Sequence, residues 1–190
     1  MAGVVRAVSG RQLESYADGI RTVYADAFGG PPWAEGPTPA DGYLLRLADD
    51  VRRPGFRAAL ALDEGTVLGF ATAWTTPAPF PTTRCYPQAA AALGAARTTA
   101  WLCGAQEIDE LAVHTQARGS GLGACLLDAL HAETAHGRSW LLTSVRAERA
   151  VAFYRRLGWR QATHPAPGGQ GVAVFLGPHH PAEVPAPLPD

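Results

Sequence analysis

The apolar positions of the chain alternate between two rhythms, and each change of rhythm marks an element. Residues 4–8 (VVRAV) are short and β-branched and predict a strand closed by Ser9-Gly10. Leu13, Tyr16, Ile20, Val23, Tyr24 and Ala27 then recur at three- and four-residue spacing, which predicts one amphipathic helix with Ser9 as its cap. Gly29-Gly30-Pro31-Pro32 cannot continue a helix, so residues 29–42 read as a loop and a second helix as residues 43–53, stopping before Pro54. Residues 56–62 and 67–74 predict a hairpin around Asp63-Glu64-Gly65. Residues 75–104 read as an irregular insertion with a short alanine-rich helix in its middle. A strand over 108–113, a helix from Leu122, a strand over 139–145, a helix over 149–157 capped by Gly158, and strands over 159–163 and 171–176 complete the pattern. The order β-α-α-β-β-β-α-β-α-β-β predicts an α/β (α+β) fold, a mixed sheet covered by helices on both faces.

Composition narrows the class without changing the pattern. A chain of 190 residues supports one domain with a real core, here residues 1–176, followed by a proline-rich tail, 177–190, expected to be disordered or loosely packed. The net charge of -1 calls for neither nucleic acid nor an anionic membrane. All basic residues are arginine, so lysine self-acetylation is excluded. Cys85, Cys103 and Cys125 are odd in number and irregular in spacing, which argues against a disulfide framework or a zinc knuckle, and Cys125 is expected to be buried in its helix. No third ligand accompanies His179-His180, so no metal site is expected. No segment has the length of a signal peptide's apolar core or a membrane span, so a cytoplasmic protein is expected.

The candidate chemistry sits in residues 107–133. Between strand and helix lies Arg118-Gly119-Ser120-Gly121-Leu122-Gly123. Three glycines in five positions let the backbone turn tightly and come close to a ligand. A turn feeding a helix start presents unpaired N–H groups and the positive end of the helix dipole, which suits a phosphate or pyrophosphate.

At these residues the chain resembles the GNAT superfamily of acyl-CoA-dependent N-acyltransferases. Arg118, Gly121 and Gly123 fill the family's Q/R-x-x-G-x-G/A loop, and Ala150, Phe153, Tyr154, Gly158 and Trp159 fill its A-x-x-F-Y-x-x-x-G-F/W helix end. The resemblance covers roughly residues 4–176 and implies a mostly antiparallel sheet of about seven strands. It also implies that acetyl-CoA is the acyl donor. Leu111, Ala112 and Val113 would meet the pantetheine arm, and the turn from Arg118 through Gly119, Ser120, Gly121, Leu122, Gly123 and Ala124 would hold the pyrophosphate. Tyr154 would protonate the leaving thiolate; the plainer alternative is a core aromatic. Ala147 stands where family members often carry an asparagine, which removes one side-chain contact to the coenzyme.

The base is expected among the acids of the central strand. Glu110, nearest the coenzyme-contacting strand end, is favoured, with Glu107 next; solvated edge acids are the alternative. Trp33 and Glu35, in the loop after the first helix, are candidates for stacking on a cationic acceptor and balancing its charge, against a surface loop pinned by a buried tryptophan. The partner implied is a small-molecule or peptide amine, and an exposed terminal strand leaves a homodimer open. Two other functions compete: a coenzyme-binding sensor without turnover, and a dinucleotide-binding oxidoreductase. For the second, residues 114–118 separate strand from glycines, and the strand over 139–145 lacks the acid that a ribose needs.

Overall fold

The computed structural model describes residues 3–31, 33, 38–131, 137–165 and 171–184. Seven strands form one sheet in the order β1-β2-β3-β4-β5-β7-β6. They are β1 (Val4–Val8), β2 (Arg57–Asp63), β3 (Thr66–Thr75), β4 (Gln106–Val113), β5 (Ser139–Ser144), β6 (Arg160–Gln161) and β7 (Val172–Leu176). The β1–β2, β2–β3, β5–β7 and β6–β7 pairs are antiparallel. The chain divides into two compact units, Met1–Trp74 with Ile108–Glu133, and Thr75–Glu107 with Thr134–Asp190.

In the first unit, Ser9 caps α1 (Gly10–Glu14) through a reciprocal box with Gln12. The helix then breaks at Ser15-Tyr16 and restarts as α2 (Ala17–Phe28), so the single helix expected here is two. Periodicity does not register the break because the apolar phase runs on through it: Leu13, Ile20, Val23 and Tyr24 are all buried. α3 (Thr38–Asp50) starts five residues earlier than the loop signal over residues 29–42 implied. The reason is Pro39, which stops a helix in its interior but fits the first turn, where its missing N–H would be unpaired anyway.

α2 and α3 pack on Leu60, Val67 and Phe70, together with Ala112 of β4. The β2–β3 register shifts between Ala61 and Leu62, so Phe70 opposes Leu60 and Val67 opposes Leu62. Without that extra residue, Val67 and Phe70 would point to opposite faces of the strand. The other face meets α6 (Leu122–His131): a Cβ on Gly69 would lie 3.2 Å from Leu126 Cδ1. Leu122, Leu126, Leu127 and Leu130 are buried, whereas Cys125, expected inside, is exposed because it sits outside that stripe.

In the second unit, residues 75–104 are more regular than their composition implied. They form α4 (Tyr86–Leu93), a short α5 (Ala95–Arg97) and a π-helical turn (Thr98–Leu102). Tyr86, Ala89, Leu93, Leu102 and Ala105 bury themselves against Trp140, Val174 and Leu176. The Trp140 indole donates to Thr76 Oγ1 at 2.7 Å, and the Arg138 guanidinium donates to the carbonyls of Ala100 and Cys103 at 3.0 and 2.9 Å, holding the end of the π turn. α7 (Glu148–Arg156) ends at Gly158, whose φ of 81° is the left-handed conformation expected of it.

The strand expected over 159–163 shrinks to the two residues of β6. The tail also departs from expectation. Ala182 and Val184 pack on the core of this unit, and Arg160 donates to the Ala182 carbonyl at 2.9 Å. His180 is buried, with its Nε2 3.0 Å from the Trp101 carbonyl and its Nδ1 accepting from the Ala182 amide. Composition misled because prolines in an extended strap forfeit little hydrogen bonding while a few side chains anchor it. Residues 185–190 and the turn over 166–170 lie outside the described residues.

Candidate functional site

In the first unit, β4 runs to Val113 and delivers the chain into a 3-10 turn (Thr115–Ala117) and then the glycine turn. Gly119 and Gly121 have φ of 80° and 85°, where a Cβ is strained, and nothing lies within 4 Å of where their Cβ atoms would be. The turn is thus open on its glycine side. The first bonds of α6 are Ala124 and Cys125 N–H to the Gly121 carbonyl, at 3.0 and 3.2 Å. The preceding first-turn amides have no intrahelical acceptor by geometry, an arrangement that suits an anion. Arg118 Nε donates to the Val113 carbonyl at 3.2 Å and Ser120 Oγ to the Ala117 carbonyl at 2.6 Å, which fold the turn back on the strand end.

The sequence offered no signal for the residue that braces this turn. Asp26 of α2 accepts from the Thr115 amide at 2.6 Å and from Thr115 Oγ1 at 2.9 Å. His114 Nδ1 accepts from the Gln116 amide, which leaves Nε2 as the N–H side, 3.9 Å from Asp26 Oδ1. The Asp26 carboxylate therefore links α2 to the start of the loop. Gly69 of β3 is equally close to the strand end: its Cβ would lie 2.9 Å from the Ala112 carbonyl oxygen.

The two candidate bases on β4 sit in different surroundings. Glu107, in the second unit, is buried, and the Tyr86 hydroxyl lies 2.8 Å from both of its carboxylate oxygens. Glu110, in the first unit, keeps 16% side-chain exposure and lies 3.7 Å from Arg46 of α3. Its charge, with that of Asp109, reaches the wholly buried phenol of Tyr43. Burial first, and then those two charges, hold Tyr43 well above the ordinary phenol range.

Tyr154 of α7 is buried, its ring edge-on to Phe153 and Trp159 and tilted against Phe175. Ala147 is the buried cap residue of the same helix, its amide donating to the Ser144 carbonyl at 3.0 Å. Trp33 is half-buried and packs edge-on against Phe28, ring centres 5.7 Å apart; Glu35 lies outside the described residues. Among the described residues, no group of three or more His, Cys, Asp or Glu side chains could hold a metal ion, and no helix is long and apolar enough to cross a membrane.

A seven-stranded sheet whose fourth strand runs through a turn into a helix start is a fold the chain shares with solved structures. Residues 54–161 match the acetyltransferase (GNAT) domain, and the chain belongs to that family. It is 40% identical over 65 residues to a 5-NmdU N-acetyltransferase of Pseudomonas phage PaMx11; that match spans 34% of this chain and 46% of the phage protein. Among solved structures it is similar to a histone acetyltransferase HPA2-related acetyltransferase of Corynebacterium glutamicum. There the TM-score is 0.62 at 18% identity, covering 98% of this chain and 99% of that one. It is also similar to the PaiA N-acetyltransferase of Thermoplasma acidophilum, solved in complex with coenzyme A. There the TM-score is 0.57 at 12% identity, covering 93% and 99%. At such identities the structures speak for the fold alone.

Proposed function

We propose that the protein is an N-acetyltransferase that moves the acetyl group of acetyl-CoA to the primary amine of a small molecule or peptide, by direct attack in a ternary complex. The observation that carries this is the open glycine turn at the start of α6, reached from the end of β4 through a 3-10 turn, in a chain of the GNAT family. Fixed backbone N–H groups suit a flexible anionic ligand because they need no reorganisation on binding. In this proposal residues 118–124 hold the pyrophosphate, and the main chain of residues 111–113 holds the pantetheine arm. The relative's designation as an N-acetyltransferase supports nitrogen as the acceptor atom.

The chemistry then runs with balanced protons. Glu110 takes a proton from the incoming ammonium, and the neutral amine attacks the thioester carbonyl, its developing oxyanion facing the Val113 N–H. As the C–S bond breaks, Tyr154 gives its phenolic proton to the leaving sulfur, and the proton lost from nitrogen restores the phenol. Glu110 suits the base role better than Glu107, whose two oxygens both lie against the Tyr86 hydroxyl. The catalytic domain is proposed as residues 1–176, followed by the proline-rich tail over 177–190.

The test is release of thiol from acetyl-CoA with a panel of amines. Tyr154→Phe is expected to lower the rate at least about tenfold, or ~1.4 kcal/mol of barrier, while coenzyme binding by titration stays intact. Tight NADH binding with no response to acetyl-CoA would sink the proposal.

A further inference from the structure

Each of the five amides leading from β4 into the glycine turn has an acceptor. The His114 N–H donates to the Leu68 carbonyl of β3 at 2.8 Å, one residue past the end of β4. The Gln116 N–H meets His114 Nδ1 at 3.3 Å, and the Ala117 and Arg118 N–H groups meet the carbonyls of His114 and Thr115 at 2.8 and 3.3 Å. Those last three bonds are local. The Thr115 N–H goes elsewhere, to Asp26 Oδ2 of α2 at 2.6 Å, and the Thr115 hydroxyl donates to Asp26 Oδ1 at 2.9 Å. Both oxygens of one carboxylate thus engage one residue 89 positions away. Hydrogen bonds to a charged acceptor are shorter and stronger than those between neutral groups. The support behind them is firm, since Ile20, Val23 and Tyr24 bury α2 in the core of the first unit.

Local bonds fix the shape of residues 114–118 but not their place against the rest of the fold. Two tethers from other elements do that, Leu68 of β3 at residue 114 and Asp26 of α2 at residue 115. Past them the chain enters Gly119 and Gly121, which have open space at their Cβ positions, so the turn's direction is set by how Thr115 is held. We propose that Asp26 is a positioning residue for the coenzyme: it holds the glycine turn, before binding, in the conformation whose N–H groups receive the pyrophosphate. The proposal rests on residues 118–124 holding that pyrophosphate. A turn ordered in advance binds more tightly because its ordering is not deferred to the moment of association. A carboxylate attracts no phosphate, so any affinity gained from Asp26 comes through the geometry it imposes on Thr115. That opposition of sign makes the role measurable.

Titration of the full-length protein with coenzyme A and with pantetheine, which lacks the pyrophosphate and nucleotide, tests it. In Asp26→Ala both bonds to Thr115 are gone, and the preference for coenzyme A over pantetheine is expected to fall about tenfold. Asp26→Asn offers its amide oxygen to the Thr115 N–H and its NH2 to the hydroxyl, and is expected to restore most of that preference. Thr115→Val is expected to lose part of the preference and Thr115→Ser to keep it. Combining Asp26→Ala with Thr115→Val should lose no more than Asp26→Ala alone, because both changes break the same contact. Thermal melts of each variant separate positioning from support. A lower Tm with the preference for coenzyme A intact would make Asp26 a structural tie and overturn the proposal. Tighter coenzyme A binding by both Asp26→Ala and Asp26→Asn would show the carboxylate acting as a repelling charge, which also overturns it. A wild-type protein that binds coenzyme A no more tightly than pantetheine would overturn the pyrophosphate reading itself, and the positioning role with it.

Discussion

Gly69 offers a perturbation whose size can be worked out from the structure. A Cβ there would stand 2.9 Å from the Ala112 carbonyl oxygen, 3.2 Å from Leu126 Cδ1 and 3.3 Å from Val113 Cγ2. Carbon-to-carbonyl approaches normally settle at about 3.3–3.6 Å, so Gly69→Ala must move the Ala112 carbonyl by roughly 0.4 Å. Leu126 can yield by rotating, but a strand carbonyl cannot. Overpacking of this kind costs about 1–3 kcal/mol, which for a chain of this length lowers Tm by roughly 2–12 °C. The displacement also carries a catalytic consequence. The Ala112 carbonyl and the Val113 N–H belong to one planar peptide unit and move together. If that N–H faces the developing oxyanion, a shift of this size lowers kcat by about tenfold, given that 1 Å costs about a hundredfold.

The assay is a thermal melt paired with thiol release at saturating acetyl-CoA. Gly42→Ala is the control, because nothing lies within 4 Å of its Cβ position. In the interior of α3 the same chemical change should stabilise the protein, by about 0.5–1 kcal/mol. A Gly69→Ala protein that melts like the wild type would refute the packing at β3 and β4. One that melts lower but turns over normally would take the Val113 N–H out of the mechanism.

Two further outcomes follow from the second unit. The His180 imidazole is held below its usual range, first by burial and further by Arg138 and Arg160, with the Trp101 carbonyl opposing. The unfolded chain then takes up this proton at higher pH than the folded one, so the contribution is complete above about pH 6.5 and is lost as pH falls towards the folded value. Unfolding free energy should fall between pH 7.5 and 5.5, by at most ~1.4 kcal/mol per pH unit from this group, and the slope should flatten in His180→Asn. An unchanged slope would remove His180 as its source. Thr76→Val leaves the buried Trp140 N–H without its acceptor and should cost about 1–3 kcal/mol, with Thr76→Ser close to wild type in urea melts. Equal stability of the Val and Ser variants would show that the indole finds another partner.

Much of this molecule is decided by local rules, and those parts are legible in the chain itself. Strand β1, the capping of α1 by Ser9, the Glu64-Gly65 turn of the hairpin, the start of α6 and the stop at Gly158 each depend on the chemistry of a few consecutive residues. The glycine turn belongs with them, since Gly119 and Gly121 are where the backbone needs a positive φ. Family membership was legible for the same reason: its motifs are short and contiguous.

What the sequence could not express is proximity between distant residues. Asp26 reaches Thr115 across 89 positions, and Tyr86 reaches Glu107 across 21. Nothing in YADAF or CYPQA marks either residue, because an acid on a helix face and an aromatic in a proline-rich insertion look the same whether or not a partner waits for them. The strap over residues 177–184 was misread for a related reason, since proline-rich composition reports weak local structure and not the anchoring that Arg160 and His180 supply. Strand alternation puts Glu107 and Glu110 on opposite parities, and nearness to the strand end alone favours Glu110. The fold then gives them different surroundings, burying Glu107 against Tyr86 and leaving Glu110 partly exposed beside Arg46. Local sequence determines where the backbone can turn and cap; which side chains share a site is decided by packing.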